Sequence, residues 1–159
     1  MNSDTIESII QLIHTLRGQK GCPWDRRQTP ETMLRYLTEE IYELVDAIEN
    51  DDPSEVCEEL GDVLFQVLFI AVLFQEIGHF SIADVVRSNS EKMIRRHPHV
   101  FGKEKVDSAE DVKKQWRQIK MEEKNGDNRP SAPEAVPAKL PALMRAYRFS
   151  EFAARTAYC

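Results

Sequence analysis

The chain has 159 residues, three cysteines and a net charge of −6, which suits one domain with a buried core and argues against a protein that binds a nucleic-acid polymer. The scattered cysteines predict no disulfide framework, and the N-terminus lacks the features of a signal peptide, so we expect a cytoplasmic protein. The apolar run over residues 63–74 is too short to cross a bilayer, so no membrane partner is expected.

Helical periodicity dominates the first half of the chain. It predicts an amphipathic helix over residues 4–17, followed by a loop over residues 18–28. A second helix should begin after Thr29 and a third after Asp52, because each of these cap residues precedes a proline at the first helical position. The turn before Asp52 is short, so these two helices should be antiparallel neighbours.

The second half continues the helical pattern. A fourth helix is predicted over residues 81–96, and Ser108 caps a fifth. Together they complete a domain over residues 1–124, followed by a linker over residues 125–139 and a C-terminal helix over residues 140–159. No segment alternates at period two, so we expect an all-α chain of five or six helices.

Two pairs of carboxylates lie on the second and third helices, at Glu40, Glu43, Glu59 and Asp62. Each pair has i,i+3 spacing, which places its members on one side of a helix, about 5–6 Å apart at Cβ. Gln66 extends the second pair into residues 63–74, which are otherwise apolar and predict a helix buried on all sides. The antiparallel arrangement brings the two pairs towards each other.

Buried like charges need neutralisation by cations or by protonation. Four carboxylates on neighbouring helices are the oxygen ligands that Mg²⁺ or Mn²⁺ takes, so the pattern predicts a divalent-metal site. The alternative is that the acids are solvated charges on helix surfaces.

Basic residues follow on the fourth and fifth helices. Lys92 and Arg96 lie one turn apart, where they can contact phosphate or complement the helix dipole, and the sequence leaves both readings open. Trp116 and Lys120 share a helix face at i,i+4 spacing.

Several motifs together resemble one family. Glu-Glu-x-x-Glu at 39–43 and Glu-x-x-Asp at 59–62 occur with GCPWDRRQTPETMLRYLTEEIYELVDAI, EELGDVLFQVLF, RRHPHVFG and LPALMRAY. Over essentially the whole chain this resembles the MazG family of nucleoside triphosphate pyrophosphohydrolases. The resemblance implies an all-α fold with a four-helix core of the MazG type, additional C-terminal helices and pairing into a homodimer.

The resemblance also implies Mg²⁺-dependent hydrolysis of nucleoside triphosphates, NTPs or dNTPs, to the monophosphate and pyrophosphate, in house-cleaning of the nucleotide pool. By motif match, the metal ligands would be Glu40, Glu43, Glu59 and Asp62, and the substrate-binding residues would be Lys92, Arg96, Trp116 and Lys120. Glu40 or Glu43 is the candidate catalytic base, and Glu39 is not excluded.

Two departures and three rival functions remain. Long MazG proteins carry a second related domain beyond the point where this chain stops, and the tail AARTAYC lacks the usual continuation. The rivals are a non-catalytic helical module that binds a nucleotide or a protein, a structural dimer with solvated acids, and a related enzyme acting on dUTP, dCTP or phosphoribosyl-ATP.

Overall fold

The computed structural model describes residues 5–124 and 136–156 of the chain. Within these ranges it contains seven α-helices and no strand, which confirms the predicted all-α fold class. The helices are α1 (Ile6–Arg17), α2 (Pro30–Glu49), α3 (Pro53–Glu76), α4 (Ile82–Arg96), α5 (Pro98–Phe101), α6 (Ala109–Lys124) and α7 (Ala142–Thr156), with a 3-10 turn at Asp25–Arg27. The single-turn α5 brings the number above the predicted five or six.

Side-chain caps fix where α2 and α3 begin, at the two residues that the sequence predicts. The Thr29 hydroxyl accepts from the Thr32 N–H (3.3 Å), and the Thr32 hydroxyl accepts from the Thr29 N–H (2.9 Å). The Asp52 carboxylate accepts two backbone N–H groups in the first turn of α3, at 3.0 and 3.2 Å. Between the helices Asp51 has a φ of 54°, a left-handed conformation that Asp tolerates better than most residues.

The chain divides into two compact units, residues 1–92 and 93–159. In the first unit α3 packs against α2 and α1. α3 contributes most of the core, with one residue each from α1 and α2; the buried cluster comprises Ile13, Met33, Leu68, Phe69, Val72 and Leu73. Burial on α3 is therefore concentrated in its C-terminal half.

α3 is not buried on all sides, so that prediction is wrong for a single chain. Within residues 63–74, Val67 is 46% exposed. The apolar composition of residues 63–74 does not specify how many helices pack against α3. In the first unit α1 and α2 do so, and Val67 stays exposed.

The second unit contains α5 to α7 and the end of α4. Residues 125–135 of the predicted linker, and 157–159 of the predicted last helix, lie outside the described residues. α7 has exposed apolar side chains at Leu143 (85%) and Tyr147 (64%). Among residues 5–124 and 136–156, no helix has both the length and the hydropathy needed to cross a membrane.

Arg17 joins three elements of the first unit. Its guanidinium pairs with Glu76 at the end of α3 (Nη2 to Oε2, 2.6 Å) and donates to the Asp25 carbonyl of the 3-10 turn (2.5 Å). It also lies 5.4 Å from the centre of the buried Phe69 ring. Only 11% of the Arg17 side chain is exposed. Its charge is therefore largely removed from water and is compensated by these partners.

We expect Arg17→Met to lower the free energy of unfolding by about 2 kcal/mol, because it leaves Glu76 and the Asp25 carbonyl without their donor. Urea denaturation measures the loss. Arg35→Met is the matched control, since it breaks an ion pair of similar length (2.8 Å) whose arginine is 78% exposed, and it should cost about 0.5 kcal/mol or less. Equal losses in the two variants would contradict this account.

Candidate functional site

The α2–α3 hairpin brings three of the four predicted metal ligands together. Glu40 and Glu43 on α2 and Glu59 on α3 each offer one carboxylate oxygen, and these three oxygens lie within 4.8 Å of one another. The i,i+3 spacing on α2 places Glu40 and Glu43 on one side of that helix. The short turn makes α3 an antiparallel neighbour, which brings Glu59 close to them.

Buried oxygen atoms in and beside this acidic cluster lack hydrogen-bond donors. In the described part of the chain, Glu59 Oε2 and Gln66 Oε1 are buried without a partner. The Gln66 amide does donate to Glu40 Oε1 at 3.3 Å, so the predicted polar strip on α3 reaches the acids of α2. A buried acceptor without a donor is unfavourable, and here it adds to the repulsion between like charges.

The pKa values reflect both effects. Burial is the main cause that raises the pKa of Glu59 above 4.5, and the charges of Glu43, Asp62 and Glu40 raise it further. Burial also raises the pKa of Glu40, with contributions from Asp62 and Glu43, although the hydrogen bond from Gln66 opposes it. The charged form of these two carboxylates is therefore less stable in the folded chain than it is in water.

Two other acids considered from the sequence lie outside the acidic cluster. Asp62 is exposed and falls outside the set of oxygens within 4.8 Å, but its charge acts on Glu40 and Glu59. Glu39 pairs instead with Arg35 on α2 (2.8 Å). The structure thus groups three predicted ligands, places Asp62 beside them and gives Glu39 a different partner.

This donor set fits a hard divalent cation. Oxygen ligands held at about 2.0–2.1 Å from Mg²⁺ in octahedral geometry lie about 2.9–4.2 Å apart, so rotation of these carboxylate side chains would be needed to bring the three oxygens onto one ion. A cation would also supply the missing partner of Glu59 Oε2 and relieve the repulsion that raises the pKa values.

The predicted substrate-binding residues are divided between the two units. Lys92 lies on α4 in the first unit, and Arg96, Trp116 and Lys120 lie in the second. The second unit brings its three together: Arg96 Cζ lies 5.5 Å and Lys120 Nζ 4.4 Å from the centre of the Trp116 ring. Two cations close to one aromatic ring make a positively charged site suited to an anion.

The sequence reasoning missed Glu123, which pairs with both Arg95 (2.7 Å) and Arg96 (2.7 Å). A signal was present, because Trp116, Lys120 and Glu123 have the i, i+4, i+7 spacing of one helix face.

Because burial and like charges raise the pKa values of Glu40 and Glu59, metal-free protein should be most stable below about pH 4.5 with respect to these groups and lose stability as pH rises through the raised values. Glu59→Gln should therefore raise the melting temperature in EDTA at pH 7.5. Added Mg²⁺ should raise the melting temperature of the unaltered protein by about 5 °C or more at saturation, and that of the variant much less.

Glu91→Gln is the control for this experiment, because it removes one exposed carboxylate from α4, outside the acidic cluster. It should leave both the EDTA melting temperature and the Mg²⁺ response close to those of the unaltered protein. A Glu59→Gln protein less stable than the unaltered chain in EDTA would show that the acids do not repel.

Comparisons with known proteins identify the family of the chain. Residues 28–101 match the family model described as the MazG nucleotide pyrophosphohydrolase domain. The nucleoside triphosphate pyrophosphohydrolase/pyrophosphatase MazG of Thermotoga maritima is 44% identical over 152 residues, 96% of this chain and 58% of the relative. The nucleoside triphosphate pyrophosphohydrolase of Escherichia coli K12 is 40% identical over 154 residues, 96% of this chain and 59% of the relative.

YabN of Bacillus subtilis, an uncharacterized protein, is 46% identical over 140 residues, 88% of this chain and 28% of the relative. The chain thus spans from 28% to 59% of the length of these three curated relatives. The crystal structure of a mazG-related protein from Thermotoga maritima matches with a TM-score of 0.62 and 30% identity, over 72% of this chain and 98% of that one. On this sequence and structural similarity, the chain belongs to the MazG nucleotide pyrophosphohydrolase family.

Proposed function

We propose that this protein hydrolyses nucleoside triphosphates, NTPs or dNTPs, to the monophosphate and pyrophosphate in a Mg²⁺-dependent reaction. The observation that carries the proposal is the acidic cluster of Glu40, Glu43 and Glu59 with the unpartnered oxygen of Glu59. The names of the Thermotoga and Escherichia relatives support the reaction class. Hydrolysis of the α–β anhydride bond converts one triphosphate and one water into the monophosphate and pyrophosphate.

Four carboxylates would hold the metal in this proposal, namely Glu40, Glu43, Glu59 and Asp62. A bound Mg²⁺, or Mn²⁺ in its place, supplies Lewis-acid polarisation of phosphate oxygens and lowers the pKa of a bound water. Asp62 is exposed and lies outside the close set of three oxygens. It would complete the coordination from the solvent side of α3.

Glu40 or Glu43 would accept the proton of the attacking water. The pKa of Glu40 is raised by burial and by the neighbouring charges, and a carboxylate with a raised pKa is a stronger base near neutral pH. Lys92, Arg96 and Lys120 would neutralise charge on the phosphates as pyrophosphate leaves, and Trp116 would contact the nucleotide.

The proposed catalytic domain covers residues 1–124, with a linker over 125–139 and a C-terminal helix over 140–159. The matched residues 28–101 fall inside the first of these. Hydrolysis of surplus or non-standard triphosphates in the cytoplasm, as nucleotide-pool house-cleaning, is the role we propose for it.

We also propose a homodimer. α2 carries one stripe of exposed apolar side chains with i, i+7, i+11, i+14 spacing, at Leu34, Ile41, Val45 and Ile48, and between 42% and 59% of each is exposed. α3 adds exposed apolar side chains at Leu60 and Val67. Exposed apolar side chains at this density on one helix pair are typical of an interface, and a second copy of the chain presents the same surface.

Turnover should require the divalent metal. Assayed with eight NTPs and dNTPs, the protein should release monophosphate and pyrophosphate with Mg²⁺ and none with EDTA. Glu59→Gln should lower kcat by about 100-fold or more, because it removes a metal ligand. Circular dichroism should show unchanged helix content.

Glu91→Gln provides the matched loss of one carboxylate and should keep full turnover. Undiminished turnover in a folded Glu59→Gln protein would remove the acidic cluster from the mechanism. Tight nucleotide binding without any release of pyrophosphate by the unaltered chain would instead identify a non-catalytic binding module.

The exposed apolar surface of α2 and α3 should hold the proposed dimer together. Val67→Lys places a charge on the exposed apolar surface of α3 and should convert a dimer to a monomer, as read by size-exclusion chromatography with light scattering. Leu12→Lys is the matched control, because Leu12 is 42% exposed on α1 and lies outside that surface. A monomeric unaltered protein, or a dimer that survives Val67→Lys, would refute this interface.

A further inference from the structure

Glu123 forms ion pairs with two arginines in the second unit. Its Oε1 accepts from Arg95 Nε at 2.7 Å, and its Oε2 accepts from Arg96 Nε at 3.1 Å and from Arg96 Nη2 at 2.7 Å. Both carboxylate oxygens are therefore engaged by charged donors, which make the stronger class of hydrogen bond.

The two arginines differ in their surroundings. The Arg95 side chain is 56% exposed, whereas that of Arg96 is 15% exposed. Arg96 also lies beside the Trp116 ring, with its Cζ 5.5 Å from the ring centre. The carboxylate and the ring together restrict the Arg96 guanidinium, while Arg95 remains at the surface.

The hydrogen bonds leave part of the guanidinium for a ligand. Arginine has five N–H donors, and Glu123 uses the edge formed by Nε and Nη2 of Arg96. Within residues 93–124 and 136–156, no hydrogen bond from Arg96 Nη1 is found. An anion can therefore bind that group without displacing Glu123.

The charge and shape around Arg96 favour an anion. Arg95 and Arg96 share the single carboxylate of Glu123, so this group of three side chains carries a net positive charge. The Trp116 ring also lines an open groove of about 770 Å³, whose walls include two further cations; the lining residues are Met93, His97, Val112, Lys113, Trp116 and Arg117.

We propose that Glu123 is a positioning residue for substrate phosphate: it fixes Arg96 against Trp116 so that the Nη1 group of the guanidinium is presented to the polyphosphate. This inference rests on the proposed function, since it assigns Arg96 to the phosphates. A fixed guanidinium gives up less conformational freedom on binding than a mobile one, which strengthens binding. The arginines hold the pKa of Glu123 down at about 2, so the carboxylate stays charged throughout the neutral range.

The test compares Glu123→Gln with Glu123→Asp. Two quantities are measured with Mg²⁺: the KM for the best substrate, and the Kd of an ATP analogue with a methylene bridge between the α and β phosphates, which cannot be hydrolysed there. Glu123→Gln should raise KM and Kd by about tenfold while kcat changes little, because one ordered charged contact is lost. Glu123→Asp keeps the charge and should recover part of the affinity.

A control and a double variant separate positioning from a purely structural role. Glu122→Gln removes the neighbouring exposed carboxylate and should leave KM and Kd unchanged. In an Arg96→Gln background, Glu123→Gln should cause no further loss, since it acts through Arg96. An unchanged or lower Kd in Glu123→Gln would overturn the proposal, and additive losses in the double variant would do the same.

The two readouts distinguish failure of this inference from failure of the proposed function. If the unaltered chain hydrolyses triphosphates but Glu123→Gln keeps its Kd, the positioning role alone is wrong. If the unaltered chain binds the analogue through Glu123 without hydrolysing substrate, the proposed reaction is wrong and the positioning role stands. If it neither binds nor hydrolyses, both are wrong.

Discussion

Repulsion among carboxylates in the α2–α3 hairpin is the constraint around which the first unit is arranged. Three acids offer oxygens within 4.8 Å of one another, and burial raises the pKa of two of them, Glu40 and Glu59. Such a cluster persists only if the surrounding fold holds it. The apolar cluster at the C-terminal half of α3, together with the Arg17 contacts at its end, supplies that support.

The second unit shows the opposite electrostatic arrangement. Arginine and lysine side chains gather around Trp116, and Glu123 offsets part of their charge. The acidic cluster is suited to a cation, and the basic one is suited to phosphate. The family membership and these two chemistries are consistent with one another, because the family is named for nucleotide pyrophosphohydrolysis.

Local signals in the sequence predicted the helices well. Thr29 and Asp52 cap α2 and α3 as expected, since capping depends on residues only two or three positions away. The burial of α3 was predicted wrongly, because an apolar run specifies a preference for burial and not the neighbours that provide it. Glu123 was missed because its partners Arg95 and Arg96 lie 28 and 27 positions away. The helix-face spacing that it shares with Trp116 and Lys120 does not identify partners on another helix. The acidic cluster was predictable because a short turn links its two halves.

The uneven burial of α3 has a consequence for motion. Its buried residues run from Leu68 to Leu73, whereas residues 53–62 are mostly exposed. Amide hydrogens near the core residues should exchange with solvent only when the whole unit unfolds, whereas those near the turn can exchange through local opening. Glu59 thus lies in the half of the hairpin that can open while the core stays folded. A ligand that bridges the two helices would close this opening, so its binding would register as slower exchange along the first turns of α3.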